Sequence, residues 1–425
     1  METILICGAF LFIYMLIFRI PVAFAVGMSA LMYPILMGKI PLEAFPHRYA
    51  FATESWPLMA VPFFILLGKV LNEGKSGIAL MDFVNRLVGS LWGGLASVSV
   101  VLNMFMGGCS GSSVADAAGI GGVLIPEMIR KGYGKAYSAA VNTCASTIGI
   151  IIPPSIPMII YAWMTEVSIR KLFLAGIIPG ILISCSQMFT AALLGYKRGY
   201  YRSGRASAKE TLEKFKKSIP SLFTLIIVLG GILFGFYNTT EAAIIGAVYV
   251  ILIELFIYKG LKISQLFPIF IDSAKITGVV MFVISTSFSL SYISAVNRIP
   301  QMIESRFFPL IPNATIALLA ITILLLIVGC FLDLVPALLI FTPIIVPLCI
   351  KFGVDLIQLG IIITIILAIG LITPPVGQCL YVSTLIAGEK LETIAKDCIY
   401  FIISILAVLF LIMIFPPVTL WLSKY

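Results

Sequence analysis

Charge is what this sequence has least of: Asp, Glu, Lys and Arg make up 11% of 425 residues, against about 25% in a typical soluble domain. It has one histidine, His47, and no C-x-x-C pair, so no metal-ligating cluster is in prospect. The G-x-x-x-x-G-K-[ST] pattern is absent, which argues against an ATP-driven machine of the P-loop type. No stripe of alternating basic and aromatic residues offers a stacking surface for nucleic acid. No nucleophile–base pairing stands out, which disfavours an integral-membrane enzyme. The start, Met-Glu-Thr-Ile, lacks a basic n-region, so the first apolar run is expected to be retained rather than cleaved.

What is abundant is apolar sequence, 60% of the chain. A soluble core cannot use that much, so lipid must solvate most side chains. Runs such as 218–236, 313–331 and 399–422 are long enough to cross a bilayer, which takes about 20 residues. The net charge of +9 comes from basic residues in short loops, where they orient the spans. The eight cysteines are scattered through apolar segments and read as small hydrophobes.

The spans fall into two halves. The first, 1–196, has scaffold spans at 2–18, 22–38 and 57–72, an interfacial arm at 40–56 and an amphipathic helix at 75–90. A re-entrant hairpin follows at 92–130, with a break at Gly107–Ser113. Then come a helix at 135–165 interrupted by Ile152-Pro153-Pro154-Ser155, and a span at 171–196. The transport portion of this half is thus 91–165. Residues 197–217 hold eight Lys or Arg, which marks them as a cytoplasmic linker. The second half, 218–425, repeats the plan: scaffold spans within 218–307 (218–236, 239–258 and 276–293), a hairpin at 313–351 and a broken helix at 356–387 within a transport portion 308–387, and a last span at 391–420.

A gapless shift of 221 residues places 108–154 on 329–375. The matches fall on helix breakers: Gly108-Cys109 on Gly329-Cys330, Pro126 on Pro347, Gly132 on Gly353, and Gly149 through Pro154 on Gly370 through Pro375. Five spans per half is an odd number, so the copies are inverted. The expected fold is therefore an all-α polytopic membrane protein of two inverted repeats. Such repeats with discontinuous helices belong to secondary transporters, whose solute and ions sit where the breaks meet.

A helix broken in mid-membrane frees carbonyls on one side and amides on the other. Carbonyls suit a hard cation such as sodium, and amides at a positive dipole end suit an anion. The expected sodium ligands are Gly108, Ser110, Gly111, Ile152 and Ser155 in the first half, and Gly329, Leu332, Thr373 and Val376 in the second. The expected solute contacts are Ser112, Ser113, Asp116, Asn142, Ser146 and Pro154, with Asp333 and Pro375. An intramembrane acid such as Asp116 or Asp333 is a functional candidate by default, with helix capping as its rival role. Asn142 could equally tie two helices together. Glu241 and Glu254 read as structural or subunit-facing.

Four segments carry a resemblance: Gly-Cys-Ser-Gly-Ser-Ser-Val-Ala-Asp through Met at 108–128, Ile-Ile-Pro-Pro-Ser-Ile-Pro at 151–157, Thr-Thr-Glu-Ala-Ala at 239–243, and Gly-Leu-Ile-Thr-Pro-Pro-Val-Gly at 370–377. Together they resemble the large membrane subunit of TRAP transporters (DctM-like, including sialic acid members) over nearly the whole chain. Cysteines at both hairpin tips and the lack of Asn before Gly370 depart from that pattern. The resemblance implies a multi-pass subunit of the bacterial inner membrane, with no cofactor beyond sodium as coupling ion. It implies two partners, a small four-helix membrane subunit and a periplasmic substrate-binding protein. It also implies uptake of an organic acid, sialic acid or a C4-dicarboxylate, by an elevator movement. The rival readings are a stand-alone divalent-anion/sodium symporter and a channel.

Overall fold

A computed structural model describes residues 14–15, 18, 20–37, 41, 43–200, 207–307 and 311–424. The predicted first span at 2–18 and Cys7 lie almost wholly or wholly outside these residues. Among the described residues every regular element is helical, as lipid demands: a helix pairs its backbone groups within one segment, whereas an open sheet edge would leave them bare. Eight helices among the described residues are long and apolar enough to cross a membrane.

The part of the first half expected as scaffold, called the scaffold below, holds Val22–Met37, the arm Ala44–Thr53, Ala60–Glu73 entered through a short turn at Trp56–Met59, and the amphipathic Ser76–Val88. Its hairpin is Leu95–Ser110 and Ser113–Arg130. The interrupted helix runs Lys135–Ile150 and resumes at Ile156–Thr165, and Ile169–Lys197 completes the half. In the second half the corresponding pieces are Ala208–Leu233, Thr239–Ile257, Ile263–Val296, the hairpin Ala314–Phe331 and Leu334–Lys351, the interrupted Leu356–Gly370 and Gln378–Ala387, and Leu391–Ile414.

Several boundaries differ from the sequence reading. The first hairpin breaks only at Gly111 and Ser112, because Leu95–Ser110 stays helical almost to the tip. Helix starts at Ala208, so the latter part of the basic linker is already helical. The span expected at 276–293 is longer, Ile263–Val296, because its first turns carry polar residues that hydropathy discounts. The last span stops at Ile414, where Phe415-Pro416 interrupts it before Pro417–Ser423. The helix Ile299–Phe307 was not foreseen.

The two halves interlock. Gln378–Ala387 of the second packs on Ser113–Arg130 and Lys135–Ser146 of the first, and Leu391–Ile414 packs on Lys135–Ser146. Arg198 clamps Asp397 through two hydrogen bonds of 2.8 and 2.6 Å, fixing the end of the fifth span to the last. The scaffold pairs likewise across halves: Thr239–Leu252 lies on Ala60–Glu73, and Ala208–Leu225 on Ser76–Val88. Glu254, fully buried in that scaffold, accepts from the amides of Lys75 and Ser76 at 2.9 and 2.7 Å and so caps the amphipathic helix. The structural reading of Glu254 is thereby met.

Candidate functional site

The site begins with the two hairpin tips. In the first, Gly111 takes φ +60, a left-handed conformation that glycine adopts without a Cβ penalty, and closes Leu95–Ser110. Ser112 then caps the next helix by accepting from the Ala115 amide. In the second, Leu332 is extended and Asp333 is the cap, its Oδ1 accepting from the Leu334 amide at 2.7 Å. The capping role is therefore filled by Asp333 and not by Asp116. Asp116 lies a turn inside its helix, fully buried, and accepts from Ser110 Oγ at 2.7 Å. Its Oδ2 has no hydrogen-bond partner.

Each hairpin presses against its broken helix through a pair of glycines. A Cβ on Gly149 would stand 2.4 Å from Asp116 Oδ2 and 2.8 Å from the Gly107 Cα. A Cβ on Gly370 would stand 2.6 Å from the Gly329 carbonyl oxygen. The glycine opposite Gly149 is therefore Gly107, whereas the gapless shift pairs Gly108 with Gly329. From glycine to cap there is one residue more in the first hairpin, Gly107 to Ser112, than in the second, Gly329 to Asp333. Under the 221-residue shift the caps Ser112 and Asp333 coincide, whereas the two contact glycines differ by one residue.

At the first break, the tip glycines Gly108 and Gly111 come close to the broken helix. A Cβ on Gly108 would meet the Pro153 carbonyl oxygen at 3.3 Å, and one on Gly111 would meet that of Pro154 at 3.2 Å. Ser155 Oγ is committed: it donates to the Ile150 carbonyl at 2.6 Å and caps Ile156–Thr165. The Ile152 side chain packs on Gly180 rather than turning toward the tip alone. At the second break the Val376 amide donates to the Cys330 carbonyl at 3.2 Å, and Thr373 Oγ1 donates to the Ile369 carbonyl at 2.7 Å. Pro153, Pro154 and Ser155 are buried, whereas Pro374, Pro375 and Val376 are exposed.

Between the tips and the scaffold lies a cavity of about 830 Å³. Ser110, Gly111, Ser112 and Ser113 line it from the first tip, and Asp333 and Leu334 from the second. Lys69, Asn72 and Glu73 line it from Ala60–Glu73, and Lys275 from Ile263–Val296. Ser113 Oγ is buried without a hydrogen-bond partner. Of the expected solute contacts, Ser112, Ser113 and Asp333 line this space. Asp116, Asn142, Ser146, Pro154 and Pro375 do not. Asn142 ties helices instead, donating to the Ala117 carbonyl at 3.0 Å and accepting from Ser99, while Ser146 donates to the Thr143 carbonyl at 2.8 Å. Every residue from Tyr137 to Ser146 is buried, and Asn142 is covered by the hairpin of its own half, at Ser99, Ala117 and Gly121.

The sequence reading missed Lys69, Asn72, Glu73 and Lys275. The signal was present in part: charges inside otherwise apolar spans are costly and mark function, and Lys69 and Glu73 share a helix face at i, i+4.

The comparisons with known proteins agree in one direction. The family described as "Tripartite ATP-independent periplasmic transporter, DctM component" matches residues 9–418. The C4-dicarboxylate TRAP transporter large permease protein DctM of Pseudomonas aeruginosa is 34% identical over 94% of both chains. The sialic acid TRAP transporter permease protein SiaT of Haemophilus influenzae is 33% identical over 94% of this chain and 65% of that one. The isethionate TRAP transporter permease protein DctMQ of Oleidesulfovibrio alaskensis is 33% identical over 96% of this chain and 65% of that one. Among solved structures, MtrF of Neisseria gonorrhoeae, titled as illuminating a class of antimetabolite efflux pumps, shares the fold at 13% identity and a TM-score of 0.57, over 87% of this chain and 83% of that one. An unbroken family match over nearly the whole length, with relatives above 30% identity, makes this chain a member of the DctM family of TRAP transporter large permease subunits.

Proposed function

We propose that this subunit carries a small organic anion into the cell in step with sodium, with the hairpins and broken helices moving as one body against the scaffold. One observation carries the reading: a solute-sized cavity has both hairpin tips on one wall and scaffold helices on the other. A solute held there touches two bodies at their boundary, which is what an elevator movement requires. The crowded carbonyls of the first tip and break suit sodium, and the helix N-termini at Ser113 and Leu334 suit an anion. Relatives are named for C4-dicarboxylate, sialic acid and isethionate, all anions, and sialic acid or a C4-dicarboxylate is the leading solute.

The subunit would work in the bacterial inner membrane with a small four-helix membrane subunit and a periplasmic substrate-binding protein. The basic stretch 197–217 would face the cytoplasm. Cysteine introduced at Ser207 should react with impermeant reagents only after the membrane is breached. The decisive experiment is reconstitution of this chain with both partners in proteoliposomes. Uptake should require an inward sodium gradient. Full-rate transport by the chain alone would favour a stand-alone divalent-anion/sodium symporter and sink the tripartite reading.

A further inference from the structure

The scaffold wall of the cavity carries a feature that neither the hairpins nor the breaks explain. Lys69 and Lys275 come from different helices, far apart in sequence, and meet on one carboxylate. Asp272 Oδ2 stands 3.5 Å from Lys69 Nζ, and Asp272 Oδ1 stands 3.2 Å from Lys275 Nζ. A carboxylate clamped between two ammonium groups, one oxygen to each, is the arrangement that an acidic solute would seek. Both lysines line the cavity, whereas Asp272 does not. The side chains of Lys275 and Asp272 are 71% and 49% exposed, so the bridge is open to exchange. The third contact of the group, Lys69 to Glu73 at 3.7 Å, is longer still. Ion pairs of this exposure and length are weak and cannot be the main support of the scaffold.

We propose that Lys69 and Lys275 form an acid-recognition clamp on the scaffold wall, that Asp272 is its resting occupant, and that a solute with one carboxylate or sulfonate takes Asp272's place. This rests on the reading of the cavity as the solute's and narrows its substrate class. Charge decides the number of acid groups. The two lysines are already balanced by Asp272 and Glu73. Asp333 and Glu73 both line the same space, so a second acid group on the solute would confront carboxylates. The remainder of the solute would meet Asn72, the unpartnered Ser113 hydroxyl and apolar side chains.

The clamp makes an unusual forecast, since removing an acid should improve binding of an acid. The test uses the purified complex of this chain with its small subunit, at saturating sodium and without binding protein. N-acetylneuraminate and isethionate serve as singly charged probes and succinate as the doubly charged one, with affinity read by ligand-dependent thermal stabilisation. Asp272→Asn should bind at least one singly charged probe about tenfold more tightly than wild type, and succinate less tightly than that probe. Lys69→Met and Lys275→Met should each weaken it about ten- to a hundredfold while leaving the sodium midpoint of stabilisation in place. If Asp272→Asn binds no probe better than wild type, the clamp is refuted. The same follows if all three variants merely melt earlier with probe affinities unchanged, the behaviour of a structural ion-pair network. Sodium-driven uptake by the wild-type tripartite system is a separate measurement: its absence would sink the importer reading and leave the binding result standing.

Discussion

The two hairpins each carry a carboxylate near the tip, held in different ways. At the second tip Asp333 occupies the cap position and spends one oxygen on the amide of its own helix. At the first tip serine does the capping and Asp116 sits a turn deeper, bonded to Ser110 with its other oxygen unpartnered. The breaks beside them differ likewise, one sealed at Pro153–Ser155 and the other exposed at Pro374–Val376. The 221-residue shift superposes the places where the backbone is interrupted. It does not preserve which side chains serve the interruption, because interruption depends on Gly and Pro while ligation depends on single polar groups that each copy can place separately.

The comparison can be broken most severely at the glycine contacts. Gly107→Ala, the counterpart of Gly329→Ala, would drive a Cβ into the Gly149 backbone, closer than any real Cβ contact. It should cost about 3 kcal/mol or more and abolish transport. Gly329→Ala, whose nearest atom is 3.2 Å away, should cost about 1 kcal/mol. Thermal unfolding of the detergent-solubilised proteins measures both, and equal losses would remove the claim that the first contact is tighter.

The carboxylates come next. Asp116 Oδ2 is an unpartnered oxygen on the side chain that holds the expected sodium ligand Ser110, so Asp116→Asn, which keeps the shape but removes a carboxylate oxygen, should raise the sodium midpoint of uptake by about a hundredfold. Asp333→Asn should shift it by less than about tenfold, and should leave stability intact because asparagine caps a helix as well as aspartate. Equal responses of the two variants would show that the tips are functionally alike despite their geometry.

Smaller effects should follow from the hydroxyls. Ser110→Ala removes a candidate ligand and the hydrogen bond to Asp116, and should weaken sodium dependence by about tenfold. Thr373→Val should do less, because its hydroxyl already donates to the Ile369 carbonyl and offers only a remaining lone pair. Leu332→Ala should leave the sodium midpoint unchanged, since at that position only a backbone carbonyl is on offer. An unchanged midpoint in both Ser110→Ala and Thr373→Val proteins would refute the paired sodium sites.

Much of this architecture was legible because its causes are local. A Pro-Pro pair interrupts a helix wherever it lies, and a run of 20 apolar residues has no soluble alternative. The helical character of the chain and the places where its helices are interrupted, at Gly111–Ser112, Pro153–Pro154, Leu332–Asp333 and Pro374–Pro375, could therefore be read directly. The one-residue slip between Gly107 and Gly108 could not. Both glycines fit a close approach, and only the packing against Gly149 chooses between them.

The sequence by itself determined that the chain spans a membrane, where its helices are interrupted, and that small and hydroxylated residues crowd the interruptions. Tertiary structure decided which surfaces those residues face. Ala314–Phe331 and Leu356–Gly370 are both strongly apolar, yet the first exposes Ile323 and Ile327, as a lipid-facing helix does, while Gln358–Gly370 is buried on every side. No local pattern separates the two, because lipid and protein interior are equally apolar neighbours. For the same reason Asn142 fell among the expected cavity residues and proved to be a tie between helices. Lys69, Asp272 and Lys275, by contrast, are single charges with no motif around them in the sequence. Their role arises from convergence across two helices of different halves, a relation that exists only once the chain is folded.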